Sequence, residues 1–262
     1  MINIGRDASF FNGKLNLEAD WFYKKTNDIL RERTDMPAIL GYKLPAANVG
    51  KVDNRGIDLN ITHRNHLRDF NESIAGNLAW ARSKVIDLLV PAGERNKPGQ
   101  RSTGHSMSQY FGYEALGLFQ SDEEANNWPQ PQFGKAKAGD IKYKDQNGDG
   151  IIDAEDEIAI GRSNYPELVY GLNLNAEWKG FDITFFFQGA ALADFYYNGY
   201  LAFPYIEGRG GALLEHHIGN TWTPENPKAE FPRLYYGGNA NNQLFSSFWM
   251  RNGSYLRLKN VE

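Results

Sequence analysis

An acidic loop runs directly into a two-faced hairpin at residues 139–190, GDIKYKDQNGDGIIDAEDEIAIGRSNYPELVYGLNLNAEWKGFDITFFFQGA, and this pairing leaves few folds open. From Leu168 on, Leu168, Tyr170, Leu172, Leu174, Ala176 and Trp178 alternate with Val169, Gly171, Asn173, Asn175 and Glu177. That period of two marks a strand with two unlike faces. After Lys179-Gly180, the residues Phe181, Ile183, Phe185 and Phe187 repeat the pattern against Asp182, Thr184, Phe186 and Gln188. In a soluble sandwich the apolar face would be buried against a second sheet. In a membrane barrel it would meet lipid while the polar face lines the lumen.

No run of about 18 apolar residues occurs, which excludes membrane-spanning helices but not a barrel, whose strands carry apolar residues only at every second position. Aromatics make up 14% of the chain and there are 27 glycines, a bias toward β-structure with aromatic girdles and turns. The net charge of -4 gives no reason to expect nucleic acid as a partner. With no cysteine, thiolate metal sites and disulfides are excluded. The opening MINIGRDASFF has neither the basic nor the apolar region of a signal peptide, so the chain reads as cytosolic or as an internal piece of a longer exported protein.

Further amphipathic strands are expected around Ile2–Phe10, Leu15–Tyr23, Ile57–Ile61, Ile74–Trp80 and from about Ser254 to the C-terminus. Short links fall at Asn12-Gly13, at about His63 to Asn71 and at Lys179-Gly180. Long links fall at about Asn27 to Lys51, Asp87 to Tyr165 and Ala191 to Asn252. Outer-membrane barrels alternate short periplasmic turns with long external loops in this way. The reading is an all-β, antiparallel transmembrane β-barrel, present as an incomplete fragment of about seven strands spanning 1–262 with long extracellular loops. Seven strands leave two open edges, and Glu262 falls in mid-strand. Phe195, Tyr196, Tyr197 and Tyr200 are expected to form an outer aromatic girdle, with lumen-side contacts as the alternative.

Within 139–165, Asp145, Asn147, Asp149, Asp153 and Asp156 occupy positions 1, 3, 5, 9 and 12 of a calcium-type loop, Gly150 position 6, and Ile151 position 7 with its backbone carbonyl. Ca2+ is the expected structural ion, with Asp140 a possible further ligand. Asp156 stands where an EF-hand carries a bidentate glutamate, and an ion-free turn rich in Asp, Asn and Gly is the competing reading.

The runs GDIKYKDQNGDGIIDAEDEIAIG, YGLNLNAEWKGFDITFFFQGA, WTPENPKAEFPRL and SSFWMRNGSYLRLKNVE resemble the C-terminal part of SusC/RagA-type TonB-linked outer membrane proteins, as do NVGKVDNRGIDLNITHRN and FGYEALGLFQSDEE upstream. The resemblance implies a plugged barrel of about 22 strands in the cell outer membrane that imports glycans or peptides. Its implied partners are TonB, engaged through an N-terminal part absent here, a SusD-like surface lipoprotein, an oligosaccharide or peptide substrate and outer membrane lipid. By that pattern, the plug, the first strands and the last strands are expected to lie outside this chain.

The remaining constellations are weak. His216-His217 lacks further ligands at metal spacing and reads as a loop contact. Trp222 lies in a proline-stiffened segment and is a candidate for sugar stacking. No catalytic triad or phosphate loop stands out, so the chain is not read as an enzyme. The alternative function is a soluble, secreted, calcium-dependent carbohydrate-binding β protein. A calcium-dependent β-structured hydrolase ranks third.

Overall fold

A computed structural model describes residues 1–31, 45–88, 103–205, 213–235 and 239–262. Seven strands form one antiparallel sheet: β1 (Ile2–Phe10), β2 (Leu15–Arg31), β3 (Ala47–Leu67), β4 (Phe70–Asp87), β5 (Leu168–Trp178), β6 (Phe181–Ala191) and β7 (Tyr255–Val261). They lie side by side in chain order, with β1 and β7 at the edges. The antiparallel all-β reading therefore holds.

The three short links lie along one edge of the sheet. Lys179 and Gly180 both have positive φ, 48° and 88°, the conformation that a tight two-residue hairpin needs. The link expected over His63 to Asn71 contracts to Arg68-Asp69, because pairing continues to Leu67↔Phe70. The link expected from Asn27 to Lys51 shortens as well, since β2 reaches Arg31 and β3 starts at Ala47. Alternation of apolar residues fades at both places although backbone pairing continues, as it can where water reaches both faces.

Cross-strand register sorts the side chains. Ile61, Gly76, Leu172, Phe187 and Leu258 form one row, and Trp21, Ile57, Trp80 and Leu168 another on the same face. The chain does not cover this face: Ile61 is 41% exposed, Ile74 43% and Leu258 50%. An apolar surface of this extent is not tolerated in water. Arg6 interrupts it near the edge, on β1. Strands of about 9–11 residues cross a bilayer. β5 and β6, at 11 residues each, match that length, whereas β2, β3 and β4, at 17, 21 and 18, must project beyond it.

The links expected from Asp87 to Tyr165 and from Ala191 to Asn252 are not open loops. Their described parts pack together into one body with a core of Tyr113, Ile141, Tyr143, Ile152, Ala202, Phe231 and Trp249. Short strands far apart in sequence hold it: Tyr110–Gly112 pairs with Ile158–Ile160, Ala115–Leu118 with Ile141–Tyr143, and Asp194–Tyr196 with Met250–Asn252. A helix at Asp122–Asn127 is capped by Ser121, whose Oγ accepts the Glu124 N–H at 3.1 Å. This body overturns part of the girdle reading. The Tyr196 ring lies 4.1 Å from that of Phe245 and Tyr197 packs toward Trp249, while Phe195 and Tyr200 remain exposed. Strict alternation is lost after Phe187 because the chain is entering this packed body rather than a lipid interface.

Candidate functional site

The face of the sheet opposite the apolar one is mostly polar, Phe22, Val169 and Phe186 apart. Glu18, Asn60 and Asn77 stand in register, and so do Asn16, Thr62 and Asn173. Asn60 donates to Glu18 at 3.4 Å, Asn175 to Thr184 at 2.9 Å and Arg257 to Gln188 at 3.1 Å. Glycine has a specific use here, since a Cβ on Gly171 would lie 2.5 Å from Asn77 Oδ1. The side chain of Asn77 thus folds flat over the neighbouring strand. A wall of amides, hydroxyls and charges can hydrogen-bond a polar solute, and among its described residues no nucleophile is paired with a base.

The acidic loop closes on its own backbone. Asp145 accepts the N–H groups of Gly148 and Gly150 at 2.6 and 2.9 Å, Asn147 accepts that of Asp149 at 3.0 Å, and Asp149 accepts that of Ile151 at 2.8 Å. Ile151 continues into a two-residue strand beside Gln130–Pro131. Asp153 caps the short 3-10 turn at Ala154–Asp156, and buried Asp156 accepts the N–H groups of Gln146 and Asp153 at 2.7 and 2.9 Å. Gln146 also donates to Glu114, whose carboxyl is held below the usual range first by this bond and then by Lys144. All six expected positions lie in one loop. Each of the five Asp and Asn side chains accepts at least one backbone N–H, and among the described residues no three acidic or imidazole groups are gathered as a metal site.

Asp140, expected as a possible member of that cluster, serves a different role. Fully buried, it accepts from Arg233 Nε and Nη2 at 2.8 and 3.2 Å, from Asn239 at 2.9 Å and from Asn242 at 3.0 Å. Asn242 Oδ1 in turn accepts the Ile141 N–H, and Tyr143 donates its hydroxyl to the Asn241 carbonyl at 2.6 Å. Burial pushes the Tyr143 phenol far up, so it remains a donor. This clasp joins the two halves of the external body, 93 to 102 residues apart in sequence, and no local spacing announces it.

His216 and His217 sit on a 3-10 turn at Glu215–His217 with their rings 4.0 Å apart. Both face the Leu201 carbonyl, at 2.8 and 3.1 Å, which matches the expected loop contact. His217 accepts the Leu214 N–H on Nδ1 at 3.3 Å, so protonation there would set two donors against each other. Burial, and then His216, hold its pKa below 6.5. A histidine with a lowered folded pKa contributes stability that is complete above the unfolded value and is lost as pH falls. The melting temperature of the external body should therefore begin to drop as pH falls below about 6.5, before the lowered carboxyls of Glu114 and Glu124 enter below 4.5. In His217→Gln that first decline should be absent from a thermal melt followed across pH.

Trp222 is half-buried against Gly139, with Nε1 3.5 Å from Gln120 Oε1. It is a packing residue of the external body more than a free stacking platform.

No protein-family model matches the chain. It is 32% identical over 271 residues to TonB-dependent receptor P26 of Formosa agariphila, covering 99% of this chain and 26% of that protein. It is 22% identical over 269 residues to TonB-dependent receptor SusC of Bacteroides thetaiotaomicron, covering 99% and 25%. Among solved structures, the RagAB peptide transporter matches 99% of this chain and 28% of its own with a TM-score of 0.72 at 24% identity, a likeness of fold. The chain thus spans about a quarter of the length of the curated relatives it matches. The SusC/RagA resemblance, the outer membrane location and the non-enzymatic reading are borne out by these matches.

Proposed function

We propose that this chain is a stretch of barrel wall, with its extracellular body, from a TonB-dependent outer membrane importer of glycans or peptides that works with a SusD-like lipoprotein. The observation that carries this reading is the sheet itself, apolar and uncovered on one face and hydrogen-bonding on the other, with a packed body at the edge opposite its tight turns. A soluble carbohydrate-binding protein would have to bury Ile61, Ile74 and Leu258, which stand open. Cargo then passes along the polar face, and the external body meets it first. The test is fractionation of cells making the full-length receptor, together with growth of a deletion strain on single polysaccharides or peptides. Recovery from the outer membrane only with detergent, and loss of growth on one nutrient, are expected. A monodisperse monomer in aqueous buffer would refute the proposal.

Calcium belongs to the same reading, as a brace of the external body. Ion binding would turn the Asp145 and Asp149 carboxylates from backbone donors toward the cation, with Asn147, the Ile151 carbonyl, Asp153 and Asp156 completing the oxygen shell. Calorimetry on the intact receptor should show a calcium heat that Asp149→Ala abolishes. Equal heats in mutant and parent would reject the site.

A further inference from the structure

The apolar face changes character one step beyond its tryptophans. Past the row of Trp21, Ile57, Trp80 and Leu168, the same face carries Tyr23, Arg55 and Arg82 in the next row, then Lys25, Asp53 and Lys84. Two residues along a strand advance it by about 7 Å and restore the same facing, so these cations sit directly above the lipid-facing surface. Arg55 and Arg82 are direct cross-strand partners, and like charges placed opposite one another destabilise a sheet. Two carboxylates lie among these cations and only partly offset them. Glu167 pairs with Arg82 at 3.3 Å and leaves that side chain 55% exposed, and Asp53 accepts the Tyr23 hydroxyl at 2.5 Å. Arg55, Arg82 and Lys84 border, together with Tyr23 and Asp53, a cavity of about 400 Å³, closed on one side by the segment from Gly104 to Gln109.

Tryptophans and tyrosines mark the level at which hydrocarbon gives way to headgroups, and basic pockets at that level recognise phosphate-bearing lipids. We propose that Arg55, Arg82 and Lys84, with Lys25 beside them, bind the phosphorylated headgroup of a lipid in the leaflet facing the external body. A lipid fits better than a soluble anion because the floor of the site is apolar: Ile57 and Trp80 lie one row below, where acyl chains would run. The shared anion also removes the repulsion between Arg55 and Arg82. This inference rests on the barrel reading above.

The test uses the full-length receptor in nanodiscs of phosphatidylcholine doped with phosphatidic acid, with retained phosphatidic acid counted by native mass spectrometry. The double variant Arg55→Ala/Lys84→Ala should retain roughly thirtyfold less, about fivefold per cation lost. Lys179→Ala, at the opposite edge of the sheet, should match the parent. Phosphatidic acid should also raise the melting temperature of the parent and not that of Arg55→Ala, a readout that does not depend on the double variant. Unchanged retention in the double variant overturns the site. So does displacement by inorganic phosphate in the buffer, which would make it a site for a free anion. A receptor that cannot enter nanodiscs removes the barrel reading and the site with it, an outcome distinct from normal insertion without selective retention.

Discussion

Replacing Asp140 with alanine should open the external body while the seven-strand sheet stays formed. The carboxylate is fully buried and accepts five hydrogen bonds, from Arg233 twice, Asn239, Asn242 and the Lys137 N–H. Removing it strands the Arg233 guanidinium and two amides in a site built for an anion. Breaking a buried pair from one side costs about 3–5 kcal/mol, and the low end applies here because Arg233 is 21% exposed and can turn partly to water. A loss of about 3 kcal/mol multiplies the open fraction by roughly a hundred. Limited proteolysis of the detergent-solubilised receptor should therefore show cleavage within 104–165 and 192–252 accelerated by about that factor, with the β1–β4 hairpins still protected. Asp140→Asn should lie between parent and alanine, since it keeps the shape and loses the charge. Cleavage of Asp140→Ala at the parental rate would mean that the clasp does not hold the body together.

The second large effect separates the two faces of β5. Leu172 lies in the row Ile61, Gly76, Leu172, Phe187 and Leu258, well inside the apolar band. Its neighbour Asn173 points to the other face, between Ala75 and Phe186. Arginine in place of a lipid-facing residue near mid-bilayer costs about 2–4 kcal/mol. At Asn173 the same side chain would reach a polar wall with room above Ala75 and should change stability little. Urea unfolding of the receptor in lipid vesicles should show Leu172→Arg strongly destabilised and Asn173→Arg near the parent. Equal costs, or the larger cost at Asn173, would contradict the assignment of faces.

The sheet was largely legible in the sequence because its physics is local. A strand with unlike solvents on its two faces must alternate, so Leu168–Trp178 and Phe181–Ala191 could be read almost to their ends, and Asn12-Gly13 and Lys179-Gly180 marked their own turns. The outer ends of β2, β3 and β4 were not legible. Beyond Tyr23 and Ile57 both faces meet polar surroundings, and Lys24, Lys25, Asp53 and Asn54 pair as strand without a hydrophobic pattern. The external body was hidden for a different reason. Its strands are mostly of two to four residues, and Ile141 lies ninety or more residues from Phe231 and Trp249, its partners in the core, so no window of sequence contains its period. Tyr196 and Tyr197 were misread for the same cause, as aromatics after a membrane strand look alike whether they face lipid or a packed core. Burial pushes the Tyr196 phenol up to about 12, the mark of the second environment. The acidic loop was legible as a loop. Which partner its carboxylates prefer, backbone donors or an ion, depends on a competition that spacing alone does not decide.

The central claim is that the Leu172 face meets hydrocarbon and the Asn173 face does not. The chain contains no cysteine, so a single one introduced within it labels one position of this segment. With a fluorophore at Leu172→Cys, Asn173→Cys, Leu174→Cys or Asn175→Cys in the reconstituted receptor, quenching by lipids brominated on their acyl chains reads each site directly. The account predicts strong quenching at 172 and 174 and little at 173 and 175. Quenching at 173 and 175, or none at any of the four, would contradict it.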